Sequence, residues 1–240
     1  MRLAQREAEI LRMAAELNPT KLSEFRDGFK PLERLAGKNR RLRRLCCQIV
    51  SGFATHEASW VRWEVALTLG NIGTTRDYRT LCLLQKDESV GVRAEAVEAM
   101  PVCGWRLGLT RILAVLRADD EEIVKACAAR ALCQYEPDGE LVDAVSTIEQ
   151  VASEVVRCEL ACVWFEWFGE DCLGLVMDCF RSDDFECYMM PLWHFGPRRK
   201  AWEAISTMRL EVFQRNIDLL VDELVEESCP QWQIDQYSEW

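Results

Sequence analysis

Apolar residues recur along this chain at two spacings at once, a helical one over a few residues and a longer one of about thirty. Val61-Arg62, Val92-Arg93, Val124-Lys125 and Val156-Arg157 fall at steps of 31, 32 and 32 residues. Each opens a segment with helical spacing: VRWEVALTLGNIG, VRAEAVEAMP, VKACAARALCQY and VRCELACVWFEWFG. The segments before them keep the same step. Val50, Leu81, Leu113, Val145 and Met177 make one column, and Phe53, Leu84, Leu116, Ile148 and Phe180 another. Both columns are apolar throughout, which chance rarely produces over five rows.

Within the second helix of each unit the apolar positions are Val65, Ala66 and Leu69, then Ala96, Val97 and Met100, then Ala128, Ala129 and Leu132. That stripe spans about a third of a helix, more than one helix pair can bury alone. Stacked neighbours bury it continuously, so the pattern predicts an all-α chain of about five helix pairs. Gly70, Gly73, Pro101, Gly104, Pro137, Gly139, Gly169, Gly196 and Pro197 are expected to end helices between units. Apolar faces over Met1–Leu17, Lys21–Leu35 and Ala201–Glu227 predict capping helices. The expected layout is one solenoid domain over 1–240, with N-terminal caps over 1–41, repeats over 42–196 and a C-terminal cap and tail over 197–240.

Two features make the chain resemble the HEAT family, most closely its short bacterial lyase-type repeats. One is the string beginning at Val61-Arg62 and running to Gly73. The other is an acid six positions before the basic residue, Asp87 before Arg93 and Asp119 before Lys125. The resemblance implies an α-α superhelix and a structural ladder made by Arg62, Asp87, Arg93, Asp119, Lys125 and Arg157. At two rungs His56 and Val151 replace the acid, which leaves Arg62 and Arg157 without the expected carboxylate, in turns that are looser or borrow another partner. The resemblance covers roughly 42–196 and indicates architecture rather than activity.

Charge then changes the picture. Residues 1–50 hold 12 Lys and Arg against 6 Asp and Glu, whereas residues 51–240 hold 17 against 34. The basic part peaks at Arg40, Arg41, Arg43 and Arg44, a run that by itself reads as a solvated helix face. A net charge of −11 disfavours nucleic acid as a partner. No apolar run approaches the ~18 residues of a membrane span, and Met1-Arg2-Leu3 leads into charge rather than an export signal. Twelve cysteines in 240 residues fall below the ~8–10% of a disulfide scaffold. A reduced, cytoplasmic protein is expected.

Candidate chemistry is sparse. With only His56 and His194, imidazole catalysis is poorly supplied, and both read as structural residues. Cys158 and Cys162 stand at i, i+4 but lack the second pair that a zinc site requires. The cysteines read mainly as small core residues. No phosphate-binding loop, nucleophile elbow or His-Glu-x-x-His motif occurs. No catalytic residue, metal or cofactor is therefore assigned.

What remains is the face of the second helices, which in the HEAT family lines the concave side. Subtracting the core stripe leaves three columns expected to be exposed: Glu64, Glu95, Cys127 and Glu159; Leu67, Glu98, Arg130 and Val163; Asn71, Val102, Gln134 and Glu166. Trp63 replaces Ala94, Ala126 and Cys158 of the other units and is a candidate aromatic anchor. The expected partner-binding residues are Trp63, Glu64, Leu67, Glu95, Glu98, Arg130, Glu159 and Glu166. An acidic strip attracts positive ligands. The expected function is a non-enzymatic interaction module, an adaptor, regulator or immunity-type inhibitor that binds another protein through a basic surface. The resemblance also implies two alternatives, an accessory subunit of a bilin-chromophore lyase and, ranked last, a HEAT-like DNA glycosylase.

Overall fold

The computed structural model describes residues 3–17, 22–37 and 39–182, together with Asp184, Cys187, Met190, Pro191 and His194. The expected C-terminal cap over 197–240 lies outside the described residues. These are all-α: α1 (Leu3–Glu16), α2 (Leu22–Ala36), α3 (Arg40–Ser51), α4 (Ser59–Ile72), α5 (Tyr78–Leu84), α6 (Val90–Ala118), α7 (Glu122–Ala131), α8 (Gly139–Glu149), α9 (Glu154–Phe168) and α10 (Leu173–Cys179). The chain groups into two compact units, Met1–Tyr135 and Glu136–Trp240, where the sequence suggested a single domain.

Helix pairing follows the repeat. In the first unit α3 packs on α4, α4 and α5 on α6, and α6 on α7. In the second unit α8 pairs with α9, and α10 packs on α9. Val61, Val92, Val124 and Val156 are all essentially inaccessible, as are the stripe residues of α4, α6 and α7. Both first-helix columns are buried except Phe53 and Leu113, which are half-buried. Within the first unit the burial at helical spacing follows the packing of α4 on α6 and of α6 on α7. At the amino-terminal end α1 packs on α2 and α3, and α2 packs on α3 and α4. Ile10, Phe29 and Leu32 seal that layer, and the Phe29 ring meets Phe53 edge-on at 5.9 Å.

Polar side chains start several helices. Asn39 accepts hydrogen bonds from the Arg41 and Leu42 amides, Asp138 from Leu141 and Ser153 from Val156, satisfying amides that a first turn leaves open. The expected breakers divide into different roles. Gly73 caps α4 and Gly169, at φ +67°, caps α9. Gly70 lies inside α4, where its hydrogen faces Ala99; a Cβ there would stand 3.2 Å from the Ala99 Cβ. Pro101 does not end a helix, but Gly104 does. The span α6 is two helices joined across a kink at Gly104, where φ of −144° and ψ of 29° leave the helical range, and the first of them runs through Pro101. The Tyr78 ring covers this glycine, whose added Cβ would lie 2.3 Å from ring carbon Cδ2, and the Tyr78 hydroxyl donates to the Leu107 carbonyl at 2.9 Å. The missing side chain lets the ring pack directly on the helix end that the local signal predicts.

The basic and acidic residues of the unit turns are connected in one direction. Arg62 donates from Nε and Nη2 to both Asp87 carboxylate oxygens, at 2.6 and 2.7 Å, and from Nη1 to the His56 and Glu57 carbonyls. Arg93 repeats this one unit later: Nε and Nη2 reach Asp119 at 3.3 and 3.4 Å, and Nη1 takes the Asp87 and Glu88 carbonyls. Each arginine therefore holds its own turn by backbone carbonyls and reaches forward to the next unit's aspartate. Arg62, expected to lack a carboxylate, has the tighter pair. Its own-turn acid position matters less than the one ahead of it. Lys125 is the residue whose forward position carries Val151, which is 86% exposed. Arg157 keeps its own-turn bond to the Ala152 carbonyl, and its forward acid, Asp183, lies outside the described residues. His56 accepts the Ala58 amide on Nδ1, the same turn-closing bond that Asp87 makes to Ser89 and Asp119 to Glu121.

Candidate functional site

The three columns expected on the exposed face are not equally exposed. The first is mostly interior: Glu64 is 3% exposed, Cys127 8%, Glu159 0%, and Glu95 is half-buried. In the second, Leu67, Glu98 and Arg130 are half-buried and Val163 is buried. Only the third, with Asn71, Val102, Gln134 and Glu166, is exposed throughout. The expectation that Glu64 and Glu159 face solvent is corrected. A second helix flanked on both sides loses more of its circumference than its apolar stripe covers. Helix α9 shows this most fully, with every residue from Leu160 to Phe165 buried.

In the first unit the polar remnant gathers around the Trp63 indole, which is half-buried and whose polar N–H favours the ionised Glu95 carboxylate. Arg130 on α7 reaches the Glu98 carboxylate on α6, Nη1 to Oε2, at 3.8 Å. Burial, then the nearby Glu98 and Glu64 carboxylates, push the Glu95 carboxyl up to about 7, against the Trp63 N–H and Arg130. Three carboxylates of α4 and α6 thus share one region with one guanidinium from α7. Leu67 lies one helical turn beyond Trp63, and Asn71 donates to Glu33 of α2 at 3.2 Å. The side chain that Trp63 replaces is buried in the other units, as Ala94, Ala126 and Cys158. Its added bulk therefore extends from an interior position toward the rim.

In the second unit Glu159 and Glu166 serve a different arrangement. Glu159 is paired with His194 Nδ1, and Glu166 Oε1 stands 3.9 Å from His194 Nε2. Trp164 donates its indole N–H to Glu149 at 3.1 Å and stacks on Phe168. His194 is 5% exposed, which makes this cluster internal. Sequence reasoning did not connect Glu159 with His194, because the contact depends on how a segment 35 residues on folds over α9.

The cysteines behave mainly as packing residues. Eight of the eleven described are buried, and none of the eleven is in a disulfide. Burial pushes the Cys46 thiol up to about 11 and the Cys103 thiol to about 12. Among the described residues no group of three His, Cys, Asp or Glu side chains could hold a metal ion, and no helix is long and apolar enough to cross a membrane.

Fold and site together define an all-α helical repeat protein with a half-buried acidic and aromatic cluster on the second helices of its first unit. No family model matches the chain, and no curated protein matches it significantly. Among solved structures it is similar to an engineered protein determined by the Northeast Structural Genomics Consortium. The identity is 16% and the TM-score 0.42, over 83% of this chain and 97% of that one. A likeness of that degree says nothing about activity.

Proposed function

We propose that the chain is a non-enzymatic protein-interaction module of HEAT-like construction, cytoplasmic, whose first unit holds a basic amphipathic segment of another protein against α4, the first half of α6 and α7. The observation that carries this reading is the crowding at Glu95. Its carboxylate sits beside Glu98, Glu64 and the Trp63 indole, in surroundings that oppose ionisation up to about pH 7. An incoming ammonium or guanidinium relieves that repulsion, while Trp63 and Leu67 offer apolar contact at the same place. The binding surface is narrower than the sequence suggested. It comprises Trp63, Leu67, Glu95, Glu98 and Arg130, whereas Glu64 shapes the potential from beneath, and Glu159 and Glu166 belong to the His194 cluster.

The test is fluorescence anisotropy with a labelled helical peptide that alternates Lys and Leu faces, against an equal-length Glu and Leu control. The basic peptide should bind and the acidic one should not, and binding should weaken steeply with salt. The double variant Glu95→Lys/Glu98→Lys should lose at least about tenfold in affinity, ~1.4 kcal/mol. Equal binding of both peptides, or a double variant that binds as the parent does, would exclude this face.

A further inference from the structure

Taken alone, the basic run of the third helix is a solvated face, but the fold gives it a companion. A cleft of about 480 Å³ opens between the start of α3 and the loop that follows α4, lined by Asn39, Arg40, Arg41, Arg44, Thr74, Thr75 and Arg76. Four guanidinium groups from two separate stretches of chain therefore border one concavity, in a protein whose net charge is −11. Arg41 is engaged by Glu7, Nε to Oε1 at 2.5 Å. Arg40, Arg44 and Arg76 are exposed, and none is in an ion pair with a described residue. Three uncompensated guanidinium groups facing one cleft repel one another, and an anion between them removes that repulsion.

The rim is held in shape before any ligand arrives. Asp77 Oδ2 accepts both the Thr74 amide and the Thr74 hydroxyl, at 2.8 and 2.7 Å, and the Asp77 amide returns a bond to the Thr74 carbonyl at 2.9 Å. Arg76 is fixed on that closed turn. Asp77 itself is 8% exposed, with its carboxylate turned into the turn rather than left to repel an anion. On the opposite wall Asn39 occupies the Arg41 and Leu42 amides. The helix terminus thus adds only its dipole, and the side chains supply the donors.

We infer that this cleft binds a small molecule carrying two or more phosphate groups. The guanidinium fork matches phosphate oxygens in pairs, and the number of uncompensated arginines exceeds what a single monoanion needs. The volume lies in the range of small-ligand sites, about 300–1,000 Å³. A long polyanion fits less well, because the chain beyond residue 50 carries twice as many acids as bases and opposes the extended phosphate contacts of nucleic-acid binding.

Isothermal titration of the full chain with inorganic pyrophosphate, inorganic phosphate and a short single-stranded oligonucleotide tests the inference. Pyrophosphate should bind, inorganic phosphate should bind at least about tenfold more weakly, and the oligonucleotide should not exceed pyrophosphate. Arg44→Gln/Arg76→Gln should weaken pyrophosphate binding at least about tenfold, the single variants Arg40→Gln and Arg76→Gln each less, and Arg117→Gln, an exposed arginine elsewhere in the first unit, not at all. All four sites are at the surface, and circular dichroism establishes folding of each variant. Undetectable pyrophosphate binding, binding that survives the double variant, or tighter capture of the oligonucleotide would overturn the inference. Because the cleft shares no residue with the Trp63 cluster, the peptide and pyrophosphate experiments succeed or fail independently.

Discussion

Replacing Glu95 with glutamine isolates the effect of crowding carboxylates beside Trp63. Its carboxyl stands at about 7 against an ordinary 4.5, chiefly from burial and then from Glu98 and Glu64. Between about pH 4.5 and 7 the folded chain holds a proton that the unfolded chain has released, so stability falls as pH rises through that window. By about pH 8 the loss is complete. Two and a half pH units at 1.36 kcal/mol each correspond to ~3 kcal/mol; screening of a half-buried group brings the expected figure to about 1–3 kcal/mol. Glutamine keeps the shape and an oxygen for the Trp63 N–H but never ionises. Guanidinium unfolding of parent and variant, followed by circular dichroism from about pH 5 to pH 8.5, should show equal stability at the acid end. At the alkaline end the variant should be more stable by about 1–3 kcal/mol, a melting-temperature gain of roughly 3–10 °C. A difference that stays constant with pH, or a variant less stable than the parent at about pH 8.5, would refute the crowding argument. Ionisation across the same window should also strengthen binding of the basic peptide as pH rises.

The remaining predictions concern the turns and the core. Asp87→Asn leaves the Arg62 guanidinium, 9% exposed like its partner, with only the exposed Glu88 carboxylate at 3.3 Å as counter-charge and should cost up to about 3–5 kcal/mol in chemical unfolding. Burial works to raise the Asp87 carboxyl, but hydrogen bonds from Arg62 and the Ser89 amide outweigh it and hold it low. The pair's contribution is therefore present above the ordinary carboxylate range and lost as pH falls through the lowered value, and Asp87→Asn should flatten that acid limb. Gly104→Ala drives a methyl into the Tyr78 ring and should destabilise by about 1–3 kcal/mol, whereas Gly91→Ala, with open space around it, should be neutral or stabilise by up to roughly 0.5–1 kcal/mol; thermal melts distinguish the two. Of the twelve thiols, the eight buried ones should resist a chromogenic disulfide reagent in the native state and react once denaturant is added. Rapid native titration of most thiols would contradict the packed core.

Helix pairing was legible because the thirty-residue step repeats a pattern that only stacked neighbours can bury. Helices α1 and α2 followed from their apolar faces in the same way. Glu64 and Glu159 show where such reading stops. Their charge and their place outside the apolar stripe both point to solvent, yet flanking helices and the segment bearing His194 enclose them. At Gly104 the helix stop itself was legible, whereas Tyr78, the ring that packs on it from 26 residues earlier, was not. The partner of Arg62 could not be named for a related reason. A spacing of six within one unit was visible, while the ion pair joins neighbouring units 25 residues apart.

By itself the sequence determined an all-α chain of stacked helix pairs, the residues of its core columns, and the uneven distribution of its charge. Those follow from periodicity, because burial of a helical stripe depends on neighbours of the same kind. The tertiary structure decided which charges meet. It gathered Glu95, Glu98 and Arg130 around Trp63, enclosed Glu159 with His194, and brought Arg76 to the same cleft as Arg40 and Arg44. Electrostatic interaction depends on distances of a few ångströms between side chains from different helices, and one-dimensional spacing carries no such distance until the helices are packed.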